Sequence, residues 1–450
     1  MGGKARGRGL LEQRVTQDRV AREFYLPVQQ FIATEWAGSA VLLAAAIVAL
    51  VMANSPAGHA FRALWETEVT LDLAVVEISM SLHHWVNDGL MAVFFFVVGL
   101  EIKRELLHGH LSDPRRAALP AFAALGGMAG PALIYLAVNA GGAGSRGWGI
   151  PMATDIAFAL GVLGLLGRGI PAQLRVFLLA LAIVDDLGAI LVIALFYTEK
   201  LAPGALVAAA GILGFMVLLR LLRVRTSAAY VLPGFLFWVA FQESGIHATL
   251  AGVILGLLTP ASHLYDDRTV LTQGRMLLDR MEKCLEEGDH DEMEATSGQL
   301  EELMVNTESP LERLERKIHP WTAFVVLPLF ALVNAGVAID GEGLATAVRS
   351  PIALGIGGGL VLGKLVGIVA VSWLAVRIGA ASLPDGVGWA HVAGVSILGG
   401  IGFTVSLFIT ELAFSDPAMV ATAKLSVLVT SALAGVIGFL VLRSVVRRAG

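Results

Sequence analysis

The chain has 450 residues, of which 56% are hydrophobic and only 15% charged, with a formal net charge of −5. Soluble globular chains carry nearer a quarter charged residues, so the composition excludes an ordinary soluble domain and points to an all-α polytopic membrane protein. The single cysteine, Cys284, excludes an internal disulfide, and no nucleic acid is expected as a partner.

Residues 1–37 are basic (Lys4, Arg6, Arg8, Arg14, Arg19, Arg22) and lack the short apolar core of a secretory signal. They read as a retained cytoplasmic tail with an interfacial helix near residues 20–36. Apolar stretches long enough to span follow at 38–54, 85–107, 117–139, 150–167, 174–197 and 203–222. Six more lie at 227–243, 245–260, 320–340, 351–378, 390–411 and 417–442. The twelve helices define one membrane domain over 38–442, followed by a cytoplasmic C-terminal tail at 443–450.

Two segments interrupt the pattern. Residues 66–80, ETEVTLDLAVVEISM, alternate in part with period two and read as a small extracytoplasmic β-hairpin. Its unpaired edge invites a second protomer, so a homodimer is expected through it. Residues 262–318 carry the stretch MEKCLEEGDHDEMEATSGQLEELM and read as an acidic, helical cytoplasmic loop, a solvated linker by default.

The Lys and Arg distribution tests the count. With twelve spans, 26 of the 32 fall on the side of the two termini and 4 on the other, with Lys364 and Lys424 inside spans. Excess Lys and Arg marks cytoplasmic loops, so both termini are expected in the cytoplasm of a cell whose inner membrane holds the chain.

The fifth span contains LLALAIVDDLGAIL, in which Asp185 and Asp186 are adjacent and no other charge occurs from residue 176 to 197. Each central Asp costs roughly 2.5–3.5 kcal/mol on an insertion scale, about 5–7 for the pair. The fourteen Leu, Ile, Val and Phe residues of that stretch return about 4–8 kcal/mol at roughly 0.3–0.6 each. The span crosses with almost nothing to spare, which demands a function for the pair. Asp155, in GIPMATDIAFALG after Pro151 and Thr154, and Lys364, in GIGGGLVLGKLVGIVA, are the other deep ionisable residues. A structural ion pair explains one Asp with one Lys. Three carboxylates against one lysine do not cancel, so an exchangeable cation or proton is required.

Helix breakers accompany these charges. The eleventh span reads SILGGIGFTVSLF, with Gly399, Gly400 and Gly402 together. Backbone freed from helical bonding is tolerated at membrane depth only when buried in protein or lining a wet cavity. Broken helices expose partial charges, which Asp155 and Lys364 are placed to balance. Interrupted helices in both halves mark the site of a secondary transporter.

The ordered stretches VNDGLMAVFFFVVGLEIKREL, ATDIAFALGVLGLLG, LLALAIVDDLGAIL, SGIHATLAGVI, HPW and GGIGFTVSLFI resemble the NhaA-type sodium/proton antiporters. The resemblance runs from about residue 85 to 410. It implies inverted repeats of spans three to five and ten to twelve, with the fourth and eleventh crossing as extended chain, an architecture for which this family is an established example. Carried over by motif, Asp185 and Asp186 hold the ion and proton, Thr154 and Asp155 sit at the fourth-span break, and Lys364 is the tenth-span cation. The resemblance also places pH sensing at the cytoplasmic mouth, where Glu101, Glu105, Glu315 and His319 are candidates. The best-known pattern there has a second histidine three positions before the HPW histidine, and this chain has Arg316. His247, in SGIHATLAG, reads as a local packing or hydrogen-bonding residue.

The chemistry follows from the residues. Na⁺ and Li⁺ are small, hard ions suited to carboxylate oxygens, carbonyls and water. Adjacent carboxyls titrate as a coupled pair, so protons and Na⁺ compete for the same oxygens. If the site changes sides only when one is bound, exchange is obligatory, and two protons per Na⁺ make it electrogenic. The expected function is a pH-dependent antiporter of cytoplasmic Na⁺ or Li⁺ against external H⁺, with no enzymatic activity and no cofactor. The rival readings are a proton- or sodium-coupled symporter of an organic solute and an intramembrane aspartyl protease. The first wants a roomier polar pocket than these spans offer. The second needs aspartates from two separate helices, where this pair is consecutive.

Overall fold

The computed structural model describes residues 26–72, 77–198, 201–222, 224, 228–262, 267–338 and 349–449. The basic residues of the expected tail, and the tip of the expected β-hairpin at 73–76, lie outside them. The first helix, α1 (Leu26–Ala53), runs without interruption from the expected interfacial segment into the first span. It is followed by α2 (Gly58–Glu66), sharply bent from it at 114°. Strands β1 (Glu68–Asp72) and β2 (Glu77–Ser81) pair antiparallel in the register Val69↔Met80 and Leu71↔Ile78.

Helix α3 (Leu82–Leu107) follows directly, with a π-helical turn at Trp85–Leu90. Asp113 caps α4 (Pro114–Asn139) by accepting from Arg115 N, and Pro114 occupies the first turn, where its missing N–H costs nothing. The fourth span then divides: a 3₁₀ segment (Ala143–Met152), three extended residues, and α5 (Ile156–Leu165), with a 47° bend. Helices α6 (Ala172–Phe196), α7 (Pro203–Leu221), α8 (Ala228–Ser244) and α9 (Thr249–Leu258) follow. Next come α10 (Asp267–Glu287), α11 (His290–Thr307) and α12 (Pro310–Asn334). Helix α13 (Pro351–Arg377) contains a π-helical turn at Gly359–Gly363, immediately before Lys364. The eleventh span divides as the fourth does, into α14 (Trp389–Leu398) and α15 (Phe403–Ala413) with a 50° bend, and α16 (Pro417–Ala449) ends the chain.

Seven of these helices are long and apolar enough to cross a membrane, or ten if each of the three bent pairs is one span. The chain is therefore a mostly helical, polytopic membrane protein.

The helices group into two compact units. The first comprises residues 1–86, 113–192 and 323–450. Its α4 and α13 meet backbone to backbone: a Cβ on Gly126 would collide with the Gly367 carbonyl and one on Gly130 with the Gly363 carbonyl. Small residues four apart let membrane helices approach closely enough for van der Waals packing to hold them. This seam fixes the face of α13 that carries Lys364.

The second unit comprises residues 87–112 and 193–322. A second glycine seam joins α3 and α9, where a Cβ on Gly252 would strike the Ala92 carbonyl and one on Gly256 the Phe96 carbonyl. Segment 262–318, read from sequence as one acidic helical loop, is a helical hairpin followed by the start of α12. Gly288 at φ +70° makes the turn that α10 and α11 need, and Asp289 caps α11 through Glu292 N. Cys284, Thr296 and Leu303 are buried within the hairpin, and Arg280 binds Glu292 across it at 2.6 Å. Helix α12 begins ten residues before the expected ninth span, because Ser309 and Glu312 form a capping box. Leu311, in its first turn, packs in a buried cluster with Leu100 and Ala261.

Candidate functional site

In the first unit, the two interrupted spans meet at their breaks. Asp155 is the residue on which α5 starts, and its Oδ1 accepts from Phe158 N at 3.1 Å. Its Oδ2 accepts from Thr404 N at 3.1 Å and Thr404 Oγ1 at 2.6 Å, in the first turn of α15. One carboxylate thus serves the positive ends of two half-helices. The Asp155 N–H in turn donates to the Ile401 carbonyl at 2.6 Å. Gly402 N and Phe403 N both point at Ser431 Oγ at 3.2 Å, so α16 supplies a second cap for α15.

The glycines of the eleventh-span break serve close approach. Gly399 (φ −59°) and Gly402 (φ −90°) have ordinary backbone angles. A Cβ on Gly400 would strike the Leu360 carbonyl of α13, and one on Gly402 the Ser406 hydroxyl.

Thr154, one residue before Asp155, carries the crossing to the aspartate pair. Its hydroxyl lies 2.8 Å from Asp185 Oδ2 and 2.8 Å from the Gly399 carbonyl, and its single proton serves one of them at a time. Lys364 Nζ donates to Thr154 Oγ1 at 3.0 Å and to Asp185 Oδ2 at 2.6 Å. The carbonyl at the end of α14 is therefore met by Thr154, and the ammonium of Lys364 is given to Asp185.

Lys364 and Asp185 are both 0% exposed, and Thr154, Asp155 and Asp186 are buried beside them. Asp185 Oδ1 makes no hydrogen bond among the described residues, leaving a buried carboxylate oxygen with acceptor capacity to spare. A fully desolvated ion pair recovers little net energy unless its remaining polar atoms are satisfied, so this pair is kept for something other than stability. Carboxylate, hydroxyl and carbonyl oxygens converge here from α6, the fourth-span break and α14. That donor set fits a hard monovalent cation.

The structure brings Thr154, Asp155, Asp185, Lys364, Gly399, Gly400 and Gly402 together, and Asp186, next to Asp185 in the chain, is buried. Thr404, Ser406 and Ser431 belong to the same crossing, with Ser406 Oγ donating to the Ile150 carbonyl at 2.7 Å, and sequence reasoning passed over all three. It also left Lys424 without a role. Lys424 pairs with Glu411 and donates to Asn334 Oδ1 at 3.1 Å, and His83 Nε2 lies 3.8 Å from the same Glu411 oxygen. The signal available was a lysine inside a span that begins within a few residues of a carboxylate.

The four pH-response candidates lie together in the second unit. Arg104 pairs with Glu315 and lies 4.0 Å from Glu105, while His319 Nε2 is 3.9 Å from Glu101 Oε1. Glu105 also accepts from His110 N at 2.9 Å, closing the end of α3. Lys103 binds the Leu257 and Thr259 carbonyls at the end of α9. Arg316 turns away from this group and binds Glu308 through two nitrogens, at 2.5 and 3.0 Å. His247 Nε2 donates to the Tyr197 carbonyl at 2.7 Å.

The family model described as Na⁺/H⁺ antiporter 1 matches residues 29–442. Na⁺/H⁺ antiporter NhaA 1 of Saccharophagus degradans is 46% identical over 419 residues, covering 92% of this chain and 90% of that protein. Na⁺/H⁺ antiporter NhaA of Oleidesulfovibrio alaskensis is 46% identical over 427 residues, 94% of each. The protein of the same name from Sulfurimonas denitrificans is 43% identical over 437 residues, 96% of this chain and 98% of that one.

Proposed function

This chain belongs to the Na⁺/H⁺ antiporter 1 family, and from that premise we propose that it exchanges Na⁺ for H⁺ at the buried carboxylate pair Asp185 and Asp186. The family is one of transporters, and Na⁺/H⁺ exchange is the activity its names carry. The observation that supports this location is the fully desolvated contact of Lys364 with Asp185 and Thr154, with Asp186 adjacent.

In this reading the structure holds the site in a form where Lys364 occupies Asp185. Na⁺, or Li⁺ by the same chemistry, takes its oxygens from Asp185, Asp186, Thr154 and the Gly399 carbonyl, and displaces the ammonium. Protons on the carboxylates compete with the cation for the same oxygens. Two protons exchanged for one Na⁺ move net charge, so the membrane potential drives Na⁺ outward. Asp155 is a positioning residue: it holds the two breaks together and touches no cargo.

The site sits in a twelve-helix bundle in a bacterial inner membrane, with both termini cytoplasmic. Counting the three bent pairs and the shorter α8 and α9 as spans gives that number. Spans three to five and ten to twelve form inverted repeats, and the paired breaks with the facing glycines of α4 and α13 favour that reading. The pH response comes chiefly from proton competition at Asp185 and Asp186, and Glu101, Glu105, Glu315 and His319 are the candidates for any separate sensor. The strand pair is extracytoplasmic and joins two protomers, with 262–318 in the cytoplasm.

The test is collapse of a pre-formed ΔpH on adding Na⁺, Li⁺ or K⁺ to everted membrane vesicles. Na⁺ and Li⁺ should collapse it and K⁺ should not. Asp186→Asn should insert normally and lose exchange. Near-normal exchange in that variant sinks the assignment.

A further inference from the structure

The half-helix α15 is anchored at both of its ends. At the break, Thr404 N and Oγ1 hold Asp155, and Ser431 Oγ on α16 accepts from Gly402 N and Phe403 N. Ser406 Oγ then donates to the Ile150 carbonyl. At the far end, Glu411 pairs with Lys424, which also lies on α16 and donates to Asn334 Oδ1 of α12 at 3.1 Å. Lys424 stands seven residues before Ser431, so the two share one face of α16, about 10 Å apart along its axis. Glu411 likewise stands seven residues after Thr404 on α15.

The two ends differ in kind. At the break the ties run to Asp155, a serine hydroxyl and a carbonyl. At the far end the tie is an ion pair between a buried lysine and a partly buried glutamate, with His83 Nε2 3.8 Å from the same carboxylate oxygen. Removing either charge leaves the other uncompensated where water is scarce. An eleven-residue helix is a stiff rod about 16 Å long, so displacing its far end tilts the end that holds Asp155. Asp155 is joined by one peptide bond to Thr154, whose hydroxyl meets Asp185 Oδ2 and the Gly399 carbonyl. Binding constellations need their groups held within about 0.5 Å, so a small tilt is felt as affinity.

We infer that Lys424 and Glu411 are positioning residues for exchange. Their ion pair fixes the tilt of α15 and, through Thr404 and Asp155, the spacing of the Thr154, Gly399 and Asp185 oxygens that take Na⁺. This role presupposes Na⁺ exchange at Asp185 and Asp186 and extends its machinery two helical turns beyond the break. A pair that only held helices together would cost stability when broken and leave the affinity for Na⁺ alone.

Na⁺-driven ΔpH collapse in everted vesicles, read as KM for Na⁺ and maximal rate, tests this role beside the melting temperature in detergent. Glu411→Gln and Lys424→Gln should each raise KM several-fold with a smaller change in maximal rate. Lys424→Arg, which keeps the charge, should stay near the parent. Thr404→Val weakens the tie between α15 and Asp155 and should raise KM by itself. Adding Glu411→Gln to it should raise KM no further, because both act through one contact. Effects that multiply in the double variant overturn the inference, as does a parental KM in either glutamine variant, whatever its melting temperature. Should one glutamine variant not insert, the other reads the same contact from the opposite side. Asp186→Asn, run beside them, separates the two readings. Exchange lost there with KM unchanged in the glutamine variants removes the positioning role alone, whereas near-normal exchange there removes the ion site and the positioning role with it.

Discussion

Lys364 is an ammonium with no exposed surface, held between the Asp185 carboxylate and the Thr154 hydroxyl. Removing one partner of such a pair leaves the other buried and uncompensated, which costs about 3–5 kcal/mol. Lys364→Ala should therefore lower the melting temperature in detergent sharply, and Lys364→Ala with Asp185→Asn should recover most of the loss, since a neutral amide needs no counter-charge. Two single variants and the double, measured by thermal unfolding, complete the cycle. The same oxygens set the acid limb of activity. Protons win them at low pH and Na⁺ at high Na⁺, so raising Na⁺ should shift the pH profile of exchange toward acid and restore most of the rate there. An acid-side inhibition that saturating Na⁺ leaves untouched would locate control elsewhere, in the group around Glu101 and His319. At this scale, what is legible in the sequence is what is costly. Asp155, Asp185, Asp186 and Lys364 stand out because an apolar span has few reasons to bear their insertion cost. Thr404, Ser406 and Ser431 do not, because a hydroxyl satisfies itself on its own helix at no cost. Ser396 does so on the Val392 carbonyl and Thr410 on the Ser406 carbonyl. Lys424 and Glu411 were hidden for another reason: a carboxylate near the end of a span passes for interfacial charge.

Among the elements, the long spans and the two breaks follow directly from apolar run lengths and glycine clusters. The hairpin of α10 and α11 does not. Its acidic surface masks the few residues that fold it, and Gly288 is one turn signal in a long charged stretch. The capping box at Ser309 and Glu312 was available as S-P-L-E and would have set the start of α12. The hairpin can be tested through its one thiol. Burial pushes the Cys284 thiol up, and the Glu292 and Asp289 carboxylates push it further. A raised thiol carries less thiolate at neutral pH, and the thiolate is the reactive form. Maleimide labelling of the native protein at pH 7 should thus be slow, should speed up as pH rises, and should become rapid at once in denaturant. Fast labelling of the native protein at pH 7 would mean that α10 and α11 are not packed.

For the whole molecule, the strand pair is where assembly is most simply probed. All five residues of β1 are exposed, and its register with β2 leaves outer edges for a further strand. Deleting 66–80 should leave Na⁺-driven ΔpH collapse largely intact and convert the detergent-purified protein to monomers by light scattering. A deletion as dimeric as the parent would place the main interface elsewhere. Long-range packing of this kind is the least legible layer. Nothing in the sequence separates Gly211, which has nothing within 4 Å of a Cβ, from Gly126, whose Cβ would strike the Gly367 backbone.

That seam has a consequence for how the protein can change. Where a glycine faces a side chain, an added methyl is curable: Gly188→Ala collides with Met128, and a smaller residue at 128 relieves it. Where glycine faces glycine, no smaller residue exists. Gly126 and Gly367 each block the other with a carbonyl oxygen, which no substitution can trim. A genetic selection starting from Gly126→Ala should return revertants at position 126 itself and no suppressor at 367, whereas Gly188→Ala should yield suppressors at Met128. The helix that carries Lys364 is thus held by positions without alternatives, and its setting is open to inheritance but closed to repair.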